Sequence, residues 1–136
     1  MTSYPIPVVR LIIADSNNKV LILKRSNTEF SGGDWCLPGG KVEYGQTVEQ
    51  ALSLELLEET SLICAQSTFL FFQDSLPMES GSMHCINFYF KCIVKGSVKL
   101  NEESVEFAWV SQENLDNFNL VFRNDLALLR YWGKVI

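Results

Sequence analysis

Apolar residues follow two rhythms along this chain, and the change of rhythm marks its elements. Residues 8–14 and 20–24 are dense in β-branched and aliphatic side chains and read as strands. Asp15-Ser16-Asn17-Asn18 between them is turn-forming, so the two segments are expected to pair as a hairpin. Residues 26–34, with Gly32-Gly33, read as a loop leading to Trp35. Residues 68–73 and 84–94 are again rich in β-formers, separated by a loop carrying Pro77 and Gly81, and residues 105–110 give one more short strand.

The second rhythm begins at Thr47. Thr47-Val48-Glu49-Gln50 has capping-box form, with the threonine hydroxyl taking a free amide and the glutamine reaching back. Val48, Ala51, Leu52, Glu55, Glu59 and Leu62 then fall at steps of three and four and share a stripe, with Glu58 on its flank. An alternative face set by Leu54, Leu56 and Leu57 would leave the glutamates in solvent. Ser111-Gln112-Glu113-Asn114-Leu115 resembles another capped helix start. Residues 125–132 read as a closing helix that packs through Leu126, Leu128, Leu129 and Trp132. Strands with intervening helices suggest a sheet sandwiched between helices.

Three carboxylates on one helix, directly after the turn Pro38-Gly39-Gly40, call for compensation. Like charges at these spacings repel, and an ionised carboxylate without a partner is costly away from water. A hard divalent cation is the natural partner for such a group.

From Gly40 to Leu62 the chain resembles the signature of the Nudix (MutT-like) hydrolases: Gly, five positions, Glu, seven positions, then Arg-Glu-aliphatic-any-Glu-Glu-any-Gly-aliphatic. Gly40, Glu55, Leu56, Glu58, Glu59 and Leu62 stand in that register, and Trp35-Cys36-Leu37-Pro38-Gly39-Gly40 is similar to the family's approach to it. Three positions differ: Gln46 replaces Glu, Leu54 replaces Arg, and Ser61 replaces the terminal Gly. The missing charges at 46 and 54 disappear together, so neither is left as an unpaired ion and a neutral brace is physically plausible, while the loss of the arginine leaves the orientation of Glu55 less firmly held.

The resemblance implies an α/β fold, the Nudix-type α/β/α sandwich with a mixed β-sheet, in a single domain over residues 1–136. It implies Mg²⁺, with Mn²⁺ as a substitute, held by Glu55, Glu58, Glu59 and the Gly39 carbonyl. Glu55, Glu58 and Glu103 are the expected catalytic residues, Glu103 as an additional ligand or general base. Arg25, Lys24 and Lys41 flank the glycine turn in sequence and are the expected phosphate contacts, Arg25 foremost because a guanidinium grips phosphate bidentately. The implied reaction is hydrolysis of a diphosphate linkage in a nucleoside diphosphate derivative, such as a nucleoside triphosphate or ADP-ribose. The alternative is a Nudix-like nucleotide-binding or regulatory module whose turnover is weakened by Gln46, Leu54 and Ser61.

Composition narrows the partners. At 136 residues and 47% hydrophobic, the chain can bury one core and is too short for two ordinary domains. Its net charge of −5, without a basic block, disfavours a nucleic-acid polymer and leaves a small nucleotide or nucleotide-sugar substrate. No apolar run approaches a membrane span, and Met1-Thr2-Ser3-Tyr4-Pro5 lacks the regions of a secretory signal. Cys36, Cys64, Cys85 and Cys92 have no paired metal-binding spacing, so reduced, mostly buried thiols in a cytoplasmic protein are expected. His84 reads as a polar strand-end residue, and Glu106 as a residue of a strand face. Phe30, Trp35, Phe72 and Tyr89 are candidates for a base-stacking pocket, although aromatics on strands more often pack in a core. The oligomeric state is left open.

Overall fold

The computed structural model describes residues 4–26, 34–77 and 83–135. Its elements are β1 (Ile6–Ile12), β2 (Val20–Arg25), β3 (Trp35–Cys36), β4 (Gly39–Lys41), α1 (Val48–Thr60), β5 (Ile63–Ser75), β6 (Cys85–Lys95), β7 (Ser104–Val110) and α2 (Asn124–Val135). One sheet has the order β4-β1-β6-β5 and is mixed, because β1 runs parallel to β6 and antiparallel to β4. The other sheet, β3-β2-β7, is antiparallel.

The alternation of side chains along β1 and β2 builds two cores, one on each side of the sheets. Val9, Leu11 and Ile13 of the first segment join Leu21 and Leu23 of β2, and meet Ala51, Leu52 and Leu56 of α1. Ile12 with Val20 and Ile22 faces the other way, against Tyr89 of β6 and Leu128 and Trp132 of α2. The result is the α/β/α sandwich that the strand and helix pattern suggests.

Several local expectations need correction. Residues 8–14 and 20–24 do not form a hairpin within one sheet: β1 and β2 belong to different sheets. They are linked by an isolated Ala14–Val20 bridge and by Leu21 N donating to the Ile13 carbonyl at 3.0 Å. The turn between them is held by Asp15, whose carboxylate accepts from the Asn17 and Lys19 amides. The expected helix start at Ser111 yields only a 3-10 turn at Leu115–Asn117, because Asn114 Oδ1 is turned back to accept from Ser111 N. In α2 the buried contacts come from Ala127, Leu128, Tyr131 and Trp132, whereas Leu126 and Leu129 are exposed. The loop expected over residues 26–34 lies mostly outside the described residues, as do Phe30 and Gly81.

Helix α1 opens as its sequence predicts. Thr47 Oγ1 accepts from Gln50 N, and Gln50 Oε1 accepts from Thr47 N. Ala51, Leu52 and Leu56 are buried, while Leu54 and Leu57 are exposed, so the alternative Leu54/Leu56/Leu57 face does not form. The helix stops at Ser61, which adopts the left-handed conformation (φ 64°) that a glycine would take without steric cost. Serine holds it with help: its hydroxyl donates to the Lys99 carbonyl at 3.1 Å. All four cysteines are unpaired, and Cys36, Cys85 and Cys92 are buried. Among the described residues no helix is long and apolar enough to cross a membrane.

Candidate active site

A cleft of about 310 Å³ opens where β1, β4, the C-terminal half of α1 and the segment before α2 converge. Its lining includes Arg10, Arg25, Gly39, Gly40, Lys41, Glu43, Glu55, Glu59, Glu103 and Phe122. Most of these groups are set by backbone registers. β1 pairs with β4 so that Arg10 stands opposite Gly39 and Val9 opposite Gly40. Because β4 is so close to β1, Gly39 has no room for a side chain: a Cβ there would run into the Val9 carbonyl. At Gly40 a Cβ would lie 2.6 and 2.7 Å from the two carboxylate oxygens of Glu55. The second glycine is therefore the seat of the Glu55 carboxylate.

Glu59 reaches the same turn and accepts a hydrogen bond from Gly39 N at 2.8 Å. Burial is the main reason that its acidity is weakened, and the proton affinity is pushed up to about 8 despite this bond. Neighbouring Glu55 and Glu103 raise it further, whereas Arg10 opposes the shift. Glu55 is pushed up to about 7, first by burial and then by Glu58, Glu103 and Glu43. The cleft thus has an excess of negative charge on its α1 side. Gln46 closes the local turn before α1: its Oε1 accepts from Glu43 N at 2.8 Å while its own N–H donates to the Glu43 carbonyl.

The structure brings Glu55, Glu59, Gly39, Glu103, Arg25 and Lys41 to the cleft. Glu103 arrives through the end of β2: Ser26 N donates to its carbonyl, and Asn101 Nδ2 donates to its carboxylate at 3.1 Å. Two expected residues stand apart. Glu58 is exposed on α1 and does not line the cleft, although its charge is felt at Glu55. Lys24 reaches instead across to β7, where its ammonium lies 3.4 Å from the carboxylate of its strand partner Glu106. The candidate stacking aromatics are also dispersed. Trp35 packs edge-on against Phe118 at 5.0 Å, Tyr89 is fully buried, and Phe72 is exposed.

All the acidic donors are oxygens, and their excess charge suits a hard divalent cation held by Glu55, Glu59 and the Gly39 carbonyl, with Glu103 at the rim. As placed, no group of three His, Cys, Asp or Glu side chains among the described residues is drawn together tightly enough to hold an ion.

Arg10, Asn87 and Phe122 were not singled out by motif. Arg10 is buried, donates through Nε to Asn87 Oδ1 and through Nη1 to the Leu37 carbonyl, both at 3.3 Å, and lies 4.6 Å from the centre of the Phe122 ring. Arg25 lies 5.1 Å from the same ring. One signal was available: Arg10 is the single charged residue in the otherwise apolar run of residues 8–14. Phe122 and Arg123 both have φ near 59°, which folds the chain sharply into α2 and turns the Phe122 ring to the cleft. Asn124 fixes this bend by accepting from Leu37 N at 2.9 Å and donating to Tyr89 Oη at 3.1 Å.

Comparison with known proteins agrees with this geometry. The chain is 36% identical over 104 residues to the ADP-ribose pyrophosphatase of Methanocaldococcus jannaschii, covering 76% of this chain and 60% of that relative. It is 33% identical over 97 residues to nucleoside triphosphatase NudI of Escherichia coli, covering 65% of this chain and 69% of NudI. The chain thus aligns with only about 60% of the length of the archaeal relative. The crystal structure of MutT protein from Methanosarcina mazei Go1 superposes with a TM-score of 0.81 at 26% identity, covering 98% of this chain and 99% of that one. The NUDIX domain family matches residues 5–130, which include every cleft residue described above. On that match, and on the register of Gly40, Glu55 and Glu59, the chain belongs to the NUDIX domain family.

Proposed function

We propose that this protein is a divalent-metal-dependent pyrophosphohydrolase that cleaves the diphosphate linkage of a nucleoside diphosphate derivative, with a nucleoside triphosphate or ADP-ribose as the substrate class and Mg²⁺ as the ion. The observation that carries the reading is the seating of the Glu55 carboxylate against Gly40, beside Glu59 on the Gly39 amide. The names of the two relatives, a pyrophosphatase and a nucleoside triphosphatase, support the same substrate class.

A bound cation would neutralise phosphate oxygens and activate water. Glu55, Glu59 and the Gly39 carbonyl would hold it, and Arg25 and Lys41 would orient the substrate phosphates across the cleft. Glu55, where it is not engaged by the ion, is one candidate to take a proton from water. Glu103 is the second candidate base at the rim.

The test is product release from ADP-ribose and from the four ribonucleoside triphosphates, with Mg²⁺, with Mn²⁺ and with EDTA. Cleavage in the presence of either ion but not EDTA is expected, and Glu55→Gln or Glu59→Gln should reduce kcat/KM by about 100-fold or more. Binding of nucleotide without product under every ion condition would overturn the enzymatic reading in favour of a binding module. Glu58→Gln reports whether this exposed glutamate joins the ion when it binds: a loss comparable to Glu59→Gln places it there, and unchanged turnover removes it.

A further inference from the structure

We propose that the α2 side of the cleft, lined by Arg10 and Phe122, with Asn87 hydrogen-bonded to Arg10 and Arg25 standing between this wall and the phosphates, recognises a keto-edged heterocycle carried by the substrate. The inference rests on the nucleotide reading above and names the part of the substrate that lies away from the diphosphate.

Arg10 is only 6% exposed and makes no ion pair among the described residues. A guanidinium cannot shed its charge, so burying one is costly unless acceptors or opposite charge surround it; Glu55 and Glu59 feel the Arg10 charge across the cleft but do not pair with it directly. Its bonds to Asn87 Oδ1 and the Leu37 carbonyl occupy two of the five N–H donors that such a group carries.

The neighbouring polar atoms are donors too. Asn87 is fully buried, and its Nδ2 has no acceptor among the described residues. On β6 it stands on the same face as Cys85, and in register with Val8, both of which line the cleft. Arg25 Nε is likewise buried without an acceptor among the described residues. Two buried N–H groups, Asn87 Nδ2 and Arg25 Nε, are thus left without an acceptor among the described residues beside the Arg10 guanidinium, while Cys36 takes a bond from another part of the Arg25 side chain.

A ligand group placed there must bring acceptors. An exocyclic carbonyl oxygen does so, whereas an exocyclic amino group would set N–H against N–H and leave both unpaired. Phe122, which carries both guanidiniums on its ring, makes the wall flat and partly apolar, a shape that fits a heterocycle better than a tetrahedral phosphate.

Equilibrium binding of nucleoside monophosphates tests this without turnover. IMP against AMP, and UMP against CMP, each exchange a keto oxygen for an amino group, and titration calorimetry in EDTA removes the metal from the comparison. The keto member should bind about tenfold or more tightly in at least one pair. Arg10→Met should bring that preference to within about twofold, and Arg10→Lys should also lose it because an ammonium lacks the planar fork. Thermal melts of both variants establish that they are folded.

No keto preference in either pair, no binding of any monophosphate, or a preference that survives Arg10→Met in folded protein would overturn the proposal. Inorganic pyrophosphate serves as the remaining probe. If Arg10→Met weakens pyrophosphate and all four nucleotides by the same factor, Arg10 grips phosphate, and the heterocycle assignment is wrong. A keto preference in a protein that hydrolyses nothing would leave this inference standing while the proposed activity fell.

Discussion

Replacing Gly40 by alanine isolates the seat of Glu55. The added Cβ would lie 2.6 and 2.7 Å from the Glu55 oxygens, well inside the ordinary contact range, so the carboxylate must retreat by roughly 1 Å. What it meets is the far end of a flexible side chain, and Gly40 has no left-handed φ, so the backbone can accept the substitution. Fold stability should change by less than about 1 kcal/mol. A misplacement of about 1 Å at a reacting group costs on the order of 100-fold in rate, and kcat should fall by about that factor. Gly39→Ala is the contrast. Its Cβ would strike the Val9 carbonyl within the β1–β4 ladder and approach Arg10 Cα at 3.1 Å, neither of which can swing aside. That variant should lose several kcal/mol of stability, on the order of the larger single-residue effects, and unfold early in urea. Denaturation curves paired with steady-state rates separate the two cases. The reasoning is refuted if Gly40→Ala keeps its rate within about twofold, or if it is destabilised as strongly as Gly39→Ala.

Metal-free protein should become less stable as pH rises. Glu55 and Glu59 hold protons more tightly when folded than the ordinary value of 4.5, so their contribution is complete below about pH 4.5 and is lost as pH passes 7 to 8. Melting temperature in EDTA should therefore fall between pH 5 and 9, less steeply in Glu59→Gln; a rising curve over that window contradicts the assignment. Divalent ion, which favours the ionised carboxylates, should stabilise the protein most at the alkaline end. Ser61→Ala should cost about 1 kcal/mol by removing the bond to Lys99 O while keeping a Cβ at positive φ, whereas Ser61→Gly offsets that loss by relieving the backbone and should be near neutral in urea melts. Asn124→Leu should destabilise by about 2–4 kcal/mol, because the Leu37 amide and Tyr89 hydroxyl lose a buried partner, and a change below about 0.5 kcal/mol in the same melts would show that the amide is not the junction described.

The α1 end of the site was legible because it is local. Thr47, Gln50, Gly40, Glu55 and Glu59 lie within one turn and helix, where spacing alone fixes who meets whom. Lys24 misled because strand alternation sends it and Arg25 to opposite sides, a distinction invisible until the face of β2 is known. The hairpin expected from residues 8–24 failed for a related reason. A turn specifies that a chain reverses, not that both arms stay in one sheet, and here the partners of β1 are β4 and β6. The Arg10 wall was unreadable as a site because its members are scattered at residues 10, 25, 87 and 122, joined only by long-range pairing.

That scatter governs when the molecule becomes competent during its synthesis. The capped helix can nucleate as soon as it leaves the ribosome, but Asn87 and Asn124 emerge 77 and 87 residues after the positions they must clasp. Until then Arg10 has neither its amide neighbour nor its aromatic support, and α2 has yet to bring Trp132 to the Asn18 carbonyl, 114 residues away. A nascent chain truncated before β6 would hold the acidic turn without the clasp that orders Arg10, so nucleotide capture should switch on only once β6 and α2 have both left the exit tunnel, late and all at once.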